Sequence, residues 1–434
     1  MCPQAAVEKD RPKLIEKASL KPFDHGSEEI KYILASDDRH WVIAEELYKV
    51  LSLMDGTRTL DDIMRDLSKN DQLDITIEAL ERICDHYLLK KGLLQGRESQ
   101  DNIGNKTRKQ SKYFWFQVPI IPEGLLRKMT FLAIPFHKSV IVSVTLFCIP
   151  VVVYIMYLLV QPEFLQSIAL VRGKDWFTLI LIMLASGYLH ELGHVGACLK
   201  YKMAPGHIGF AFYMTMPVLY ADVSRVWNLK SKQRALVDVG GLYFEMVFLS
   251  ILTLVSMALE NKVILIGTAI RFIGMTYNFN PFLKMDGYWL FSDLTGITNL
   301  HDVTLDFFKD KIIRKISKSK SEIQKAYYTG LKPKIKNVFY AYVGASSVFF
   351  LFFIYILTIA LITSIENIPV LVTEVIQFKQ VMHSQFNWQT FGLGLVELLK
   401  DHALFILTFI LIVRMIGKAV SSLGVLFLGR LHNE

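Results

Sequence analysis

The stretch 187–195 contains residues whose types and spacing suit metal chemistry. His190, Glu191 and His194 form an H-E-x-x-H pattern inside the apolar run 176–199. On a helix, residues four apart share one face, so both imidazoles can bind one metal ion while Glu191 projects to the side. Zinc suits two imidazoles and a carboxylate, with a fourth position left for water. The pattern therefore predicts a Zn²⁺ site at which Glu191 is the general base.

Asp286 is the candidate third ligand. It lies between Pro281, which would break a preceding helix, and Gly287, which permits a tight turn. A carboxylate at such a bend can point sideways toward another helix. An Asp-Gly pair alone is more often a surface turn, but that alternative leaves His190 and His194 without a further ligand. We therefore predict that the two histidines and Asp286 bind one Zn²⁺.

The alternative interpretation of the two histidines is ordinary hydrogen bonding to neighbouring helices. Ionisable side chains are expensive at membrane depth, so three of them within five residues need a physical reason. Hydrogen bonding alone explains neither Glu191 nor the downstream carboxylate of Asp286. The metal site is therefore the preferred interpretation.

The composition favours a membrane protein. Of the 434 residues, 52% are hydrophobic, and several runs are long enough to cross a bilayer. The net charge of +8 is explained by cytoplasmic loops rich in Lys and Arg, so we expect no nucleic-acid partner. The four cysteines are scattered without a C-x-x-C pattern, which indicates neither a disulfide framework nor a cysteine metal site.

We predict a mainly α-helical, polytopic membrane bundle. Its six candidate spans are 131–159, 176–199, 236–259, 263–282, 338–362 and 403–427. Basic residues concentrate in the loops 200–234 and 284–337, which places these loops in the cytoplasm, whereas the segment 366–401 is nearly free of them and should face outward. The polar N-terminus carries no apolar signal segment, so the first ~110 residues are expected in the cytoplasm.

Two further features lie within the membrane part. The segment 206–224 is apolar and aromatic but bracketed by prolines, which predicts a strand-like re-entrant loop; the alternative is an interfacial loop. Glu245 and Arg271 lie inside predicted spans, where an unpaired charge is costly, so we predict that they pair across a helix interface. The alternative for Arg271 is a side chain that reaches toward the membrane surface.

The first part of the chain has the composition of a small soluble domain. Residues 1–22 are predicted to be a flexible tail, and residues 23–95 to fold as a strand (30–34) with three helices, a winged-helix pattern. The first helix is predicted over 42–54. Thr59 and Asp62 form a capping box for the second helix, and a third helix starts near Asp74. Residues 96–128 are predicted to be a linker that ends in an aromatic and basic interfacial anchor.

Residues 53–63 and 88–94 resemble the PqqD-like domains that recognise leader peptides. The resemblance covers about seventy residues and rests on apolar positions around the Asp55-Gly56 turn. It implies that a leader adds as a strand beside the sheet, with Ile30, Tyr32 and Leu34 as candidate contacts. The alternative is a DNA-binding winged helix, which the acidic third helix disfavours.

The H-E-x-x-H pattern, followed by Asn280-Pro281 and by Asp286-Gly287, resembles the site-2-type intramembrane zinc metalloproteases. The resemblance covers roughly residues 130–300. It implies two zinc-binding histidines, the zinc-binding aspartate Asp286 and the general base Glu191. It also implies that Asn280 lies beside bound substrate.

The same resemblance implies a strand-like loop that clamps an extended substrate, which makes Phe210 and Phe212 candidate contacts. The spelling of 280–288 is closest to peptide zinc metalloproteases linked to maturation and export of modified peptides. One departure is that no PDZ-like domain interrupts the core, which leaves substrate filtering to the N-terminal domain. The protease core is expected over 129–300, followed by a basic cytoplasmic loop and two further spans over 301–434.

Together these observations predict a bacterial cell-membrane zinc metalloendopeptidase, with its active site toward the cytoplasm. Its expected partners are a ribosomally made precursor peptide, whose leader it removes, the lipid bilayer and a peptide exporter. Three alternatives remain: a protease acting on a membrane-anchored regulator such as an anti-sigma factor, a non-catalytic docking or immunity partner of an exporter, and a membrane regulator with a DNA-binding N-terminal domain.

Overall fold

The described residues of the computed structural model are 11–23, 26, 28–36, 39–71, 73–95, 114–173, 175–213, 216–316, 327–384, 387 and 391. They are mainly helical. The chain divides into one unit of residues 1–110, 117–211 and 218–339, and a second of residues 111–116, 212–217 and 340–434. The predicted span 403–427 and the first ten residues of the predicted tail lie outside the described residues.

The N-terminal domain begins with a three-stranded antiparallel sheet. Its strands are β1 (Ala18–Pro22), β2 (Lys31–Ser36) and β3 (Arg39–Ala44), with β2 in the centre. Three helices follow: α1 (Glu45–Ser52), α2 (Leu60–Asp71) and α3 (Ile77–Arg82), the last continuing as a π-helical segment over Ile83–Leu88. The apolar faces of sheet and helices share one core, which includes Leu34, Ile43, Leu51, Ile63, Leu80 and Leu88.

The sheet corrects three of the sequence predictions. Residues 18–22 are a strand rather than part of a flexible tail, because β1 pairs with β2 along its whole length. The helix predicted over 42–54 begins only at Glu45, because residues 39–44 pair with the other side of β2. The third helix starts at Ile77, where the Thr76 side chain accepts a hydrogen bond from the Ala79 N–H, instead of near Asp74.

Strand β2 is not at the edge of its sheet, so a leader cannot add as a strand beside it as the resemblance implies. A peptide can add to a sheet only at an unpaired strand edge, and both edges of β2 are taken by β1 and β3. Leu34 is fully buried in the domain core, which leaves it no surface for a ligand. Tyr32 stacks on Tyr48 with ring centroids 3.7 Å apart, whereas Ile30, just before the strand, is 57% exposed.

The predicted capping box is present at the start of α2. The Asp62 N–H donates to the Thr59 hydroxyl at 3.2 Å, and the Thr59 N–H donates to Asp62 Oδ2 at 3.1 Å. Two otherwise unsatisfied groups of the first turn are thereby paired, which fixes where the helix begins.

The elements after the linker run as follows: β4 (Phe114–Ile121), α4 (Glu123–Lys128), a 3-10 helix (Thr130–Phe136), α5 (Lys138–Leu159), α6 (Pro162–Ala169), α7 (Asp175–Lys200), β5 (Ile208–Tyr213), β6 (Met216–Ala221), a 3-10 helix (Ser224–Asn228), α8 (Ser231–Ala258), α9 (Lys262–Asn278), α10 (Asp286–Thr295), α11 (Leu300–Ile316), a 3-10 turn (Tyr327–Gly330), α12 (Pro333–Glu366) and α13 (Ile368–Ser384). The first span was predicted to begin at residue 131, but Pro135 lies in a 3-10 segment there and α5 starts at Lys138.

Four helices in the described part of the chain are long and apolar enough to cross a membrane: α5, α7, α8 and the segment Pro333–Thr363 of α12. The predicted fourth span corresponds to α9, which has 17 residues and ends at Asn278 instead of continuing to residue 282. A helix of this length is about 25 Å long, slightly less than the apolar thickness of a bilayer. The described part is therefore a helical protein with membrane-type helices.

A second three-stranded sheet has the strand order β4-β5-β6. Along the chain, β4 precedes α7, and β5 and β6 follow it. The predicted strand-like loop 206–224 is the β5–β6 hairpin, closed by hydrogen bonds from the Gly206 N–H to the Asp222 carbonyl and from the Asp222 N–H to the His207 carbonyl. Residues 114–116, which belong to the predicted aromatic and basic interfacial anchor, lie in strand β4 (Phe114–Ile121). Strand β4 completes the backbone pairing of β5, which local sequence does not reveal.

Helices α7 and α8 approach each other closely at glycine. A Cβ added to Gly240 would lie 2.6 Å from the carbonyl oxygen of Gly193, so neither position has room for a side chain. Glycine and other small residues permit such close helix contacts within membranes. The contact lies directly beside His194, and it sets the distance between the two helices at the candidate site.

The N-terminal domain contacts the rest of the first unit through two aromatic residues. The His40 ring stacks on Trp227 with centroids 4.4 Å apart, and the buried ring of Phe23 lies 6.2 Å from the same indole. Burial, together with the positive charge of Arg234, lowers the pKa of His40 to about 4. His40 is therefore neutral at pH 7 while it is docked.

This docking predicts a pH dependence. Because the folded-state pKa of His40 lies below its ordinary value of about 6.5, the folded protein binds fewer protons than the unfolded protein between these two values. The contribution of His40 to the free energy of unfolding is thus fully present above pH 6.5 and is lost as the pH falls toward 4. His40→Phe keeps the stacking but cannot be protonated, so its thermal unfolding midpoint should fall less than that of the wild type between pH 7.5 and 5.

His86→Phe is the matched control, because His86 is an exposed histidine of the same domain. It should keep the pH dependence of the wild type. An equal dependence in the His40→Phe protein would contradict the assignment.

Candidate metal centre

Helix α7 brings the two histidines of the H-E-x-x-H pattern together. His190 and His194 lie one turn apart, and both are buried, with 5% and 7% exposure. Their Nε2 atoms are 3.2 Å apart. The helical repeat thus gives two ligand atoms on one face, as the spacing predicts.

Asp286, the first residue of α10, reaches the same point. Its Oδ2 lies 2.9 Å from His190 Nε2, and its Oδ1 lies 3.6 Å from His194 Nε2. Tetrahedral zinc bonds of about 2.1 Å would separate ligand atoms by about 3.4 Å. The three separations lie close to that value. The spacing of the three residues therefore fits a zinc ion. In the described part of the chain, they form a group of side chains that could hold a metal ion.

The other ring nitrogens fix the orientation of both imidazoles. His190 Nδ1 donates to Glu245 Oε2 at 2.8 Å, and His194 Nδ1 donates to the backbone carbonyl of Val237 at 2.7 Å. A ring whose Nδ1 carries the proton presents an unprotonated Nε2, which is the form that binds a metal. Both acceptors belong to α8, so this helix supports the ligands of α7.

Glu245 and Arg271, which were predicted to pair, form an ion pair between α8 and α9. Arg271 Nε lies 2.6 Å from Glu245 Oε1, and the Ser186 hydroxyl donates to the same oxygen at 2.8 Å. The remaining oxygen, Oε2, is free to accept from His190. Glu245 is fully buried, so the guanidinium compensates a charge that would otherwise be very costly.

Gly241 leaves the space in which the ligands meet. A Cβ added there would lie 2.5 Å from the Nε2 atoms of both His190 and His194. The pair Gly240-Gly241 therefore serves two purposes: the first glycine admits α7, and the second keeps the volume between the imidazoles open. The two adjacent glycines are visible in the sequence, but helical spacing alone does not assign them to the site.

Glu191 is buried beside the second sheet. Its exposure is 9%, and the backbone N–H of Ala221, at the end of β6, donates to its carboxylate. Because Glu191 follows His190 directly, it lies to the side of the histidine face. Its carboxylate thus contacts the end of β6 and interacts electrostatically with His190 and Asp286.

The predicted substrate residues lie on several different elements of the structure. Asn280 is half-buried, and its side chain accepts a hydrogen bond from the Phe282 N–H at 2.8 Å, which stabilises the turn before α10. Phe210 and Phe212 lie two residues apart on β5 and are partly buried. Ile30, Tyr32 and Leu34 belong to the N-terminal domain. Their roles as substrate contacts stay predictions, except for Leu34, whose burial contradicts its role.

No protein-family model matches the chain, and neither the curated proteins nor the solved structures contain a match. The functional assignment accordingly rests on the residues and geometry of the centre.

Removing the space at Gly241 should abolish metal binding. In Gly241→Ala, the methyl group would lie against both Nε2 atoms, so we expect at least a hundredfold loss of Zn²⁺ affinity by competition with a chelator, since even outer-shell changes cost about 10–100-fold. Gly344→Ala is the control, because a Cβ there meets no atom within 4 Å. Unchanged zinc content in the purified Gly241→Ala protein would refute the assigned position of the ion.

Proposed function

We propose that this chain is a membrane-embedded zinc metalloendopeptidase that cleaves a ribosomally made precursor peptide and removes its leader. One observation carries the proposal: His190, His194 and Asp286 converge within metal-binding distance, and the buried carboxylate of the adjacent residue Glu191 interacts electrostatically with His190 and Asp286. This combination of two imidazoles, one carboxylate and an adjacent acid supports hydrolysis of an amide bond better than simple metal storage.

In the proposed hydrolysis, zinc and the side chains of the protein have separate roles. Zinc, when bound, supplies Lewis-acid polarisation of the peptide carbonyl and acidifies a water molecule. Glu191 takes the proton from the attacking water and later delivers it to the leaving amine. Glu245 holds His190 in the metal-binding tautomer, and the Val237 carbonyl does the same for His194. The apolar helices around the centre exclude bulk water, which strengthens each of these interactions.

Strand β6 is the proposed docking edge for the extended substrate. It lies at one end of the strand order β4-β5-β6, which is the edge position of this sheet among the described residues. Peptides commonly bind by adding a strand at such an edge. Because the Ala221 N–H at the end of β6 donates to Glu191, a peptide paired with this strand would run past the catalytic carboxylate.

The proposed setting is a bacterial cell membrane, crossed six times, with the metal centre toward the cytoplasm. The metal-binding histidines lie in the last part of α7, close to the basic residues Lys200, Lys202, Arg225 and Lys230. Positive charge in short loops favours the cytoplasmic side. The ligand-bearing end of α7 would therefore open toward the compartment in which a precursor peptide is made.

Leader recognition is proposed for the N-terminal domain, on strand β3. Strand β3 lies at the edge of its sheet and contains no proline, whereas the opposite edge strand β1 ends in Pro22, which has no N–H to donate. Capture of the leader there would raise the local concentration of the segment to be cleaved. A peptide exporter is the proposed recipient of the product.

The mechanism is tested by Glu191→Gln. The amide keeps the shape of the side chain but cannot accept the proton, so zinc content should stay at the wild-type level while precursor cleavage falls by at least about a thousandfold. Product formation is measured by mass spectrometry with the precursor encoded beside this gene. Persistent cleavage would refute the mechanism, and cleavage only of a substrate with its own membrane span would identify a membrane-anchored regulator instead.

Leader recognition at strand β3 is tested by photo-crosslinking. A photoreactive amino acid at Val42, which is 40% exposed on β3, should crosslink to the leader peptide. The same group at Lys21, which is exposed on the opposite edge strand β1, is the control and should give little product. Stronger crosslinking at Lys21 would show that the leader binds elsewhere on the domain.

A further inference from the structure

Helix α10, which carries Asp286 at its first residue, is held at its other end by α8. Asp293 lies seven residues after Asp286, about two turns along the helix, and therefore on the same face. Arg234 Nε donates to Asp293 Oδ1 at 2.8 Å, and the Ser231 hydroxyl donates to the Asp293 backbone carbonyl. The first turn of α8 thus binds both the carboxylate and the backbone carbonyl of Asp293 in α10.

Arg234 is buried between Phe23 of the N-terminal domain and Trp227 of the 3-10 helix that precedes α8. Its exposure is 2%, and its guanidinium carbon lies 5.2 Å from the centre of the Phe23 ring and 5.4 Å from that of Trp227. Trp227 also makes an edge contact with Trp289 of α10, with ring centroids 6.5 Å apart. The guanidinium therefore lies between aromatic rings that exclude water from its ion pair with Asp293, which makes that pair stronger.

The end of α10 makes a second contact with the N-terminal domain. The helix ends at Gly296, which has a left-handed backbone, and the Gly26 N–H donates to the Gly296 carbonyl at 3.0 Å. Gly26 also accepts a hydrogen bond from the Lys332 N–H at 3.0 Å. A Cβ on Gly26 would lie 2.5 Å from the Thr295 carbonyl oxygen, so the approach requires a glycine.

From these contacts we infer that the N-terminal domain braces the metal centre: Phe23 and Gly26 hold α10 through Arg234, Asp293 and Gly296, and thereby fix the position of Asp286. Arg234 is a positioning residue, because its charge reaches the ligand only along the helix. This inference rests on the proposed metal centre and adds a second task to the domain that is proposed to bind the leader. Because α10 is one short helix, a shift of Asp293 or Gly296 at its end would also shift Asp286 at its start. The geometry of the proposed metal centre would then change.

The test uses the full-length protein and two pairs of matched variants. Gly26→Leu inserts a side chain against the Thr295 carbonyl, and Gly124→Leu is its control, because a Cβ at Gly124 meets no atom within 4 Å. Arg234→Met removes the charge at Asp293, and Arg225→Met is its control, because Arg225 pairs with Glu123 at 2.6 Å instead. Arg234→Lys keeps a positive charge and should restore part of the loss.

Three readouts separate the possible outcomes. Hydrogen exchange of the amides of 286–295 in metal-free protein should speed up in Gly26→Leu and Arg234→Met. Affinity for Co²⁺ should fall about tenfold or more, with a shifted visible absorption spectrum, while both controls stay at the wild-type level. Unchanged exchange and unchanged Co²⁺ affinity in Gly26→Leu would overturn the brace, even if Arg234→Met failed to fold. Because neither readout uses cleavage, failure of the proposed protease activity would be seen separately, in the precursor assay.

Discussion

The close approach of α7 and α8 is the constraint on which the rest of the centre depends. Gly193 and Gly240 bring the two backbones into contact, and this contact places Glu245 and the Val237 carbonyl where they can receive the Nδ1 protons of the two histidines. Larger side chains at either glycine would move α8 away, and both imidazoles would lose the partners that define their orientation. The geometry of the ligands is thus set by helix packing.

Buried charge supports the proposed cation at this place. With neutral imidazoles, the carboxylates of Asp286 and Glu245 share the positive charge of Arg271, which leaves one negative charge in excess. Isolated buried charges are costly, and a cation between His190, His194 and Asp286 would compensate this charge. Glu191, the proposed general base, is not one of the three proposed ligands.

The ligand set could be predicted from sequence because it depends on local rules. A spacing of four residues places His190 and His194 on one helix face, and the turn at Asp286 needs only its neighbouring proline and glycine. Pairing of Glu245 with Arg271 followed from the cost of charge in an apolar run. The link from Glu245 to His190 was missed, because residues 55 positions apart in sequence share no periodic signal.

The strands were predicted less well, since a strand depends on its partner. Residues 18–22 and 114–121 carry no strong alternation, and each becomes a strand only because a neighbouring strand accepts its backbone hydrogen bonds. The consequence for function was direct: with β1 and β3 unrecognised, β2 was taken for an edge. A signal for the docking contacts existed in Phe23 and Trp227, two large aromatic residues in otherwise polar segments, but their partners could not be identified from the sequence.

Under the proposed function, the contacts of the first unit would join leader recognition to catalysis through the N-terminal domain. His40, at the start of β3, stacks on Trp227, and Trp227 contacts both Arg234 and Trp289. A peptide added to β3 would therefore lie beside the aromatic cluster that buries the Arg234–Asp293 ion pair. Because Asp293 and the proposed ligand Asp286 share one face of a ten-residue helix, a contact that shifts Asp293 would also shift Asp286. A tethering domain without such contacts would only concentrate the proposed substrate, whereas a docked domain would also hold the proposed metal centre in place.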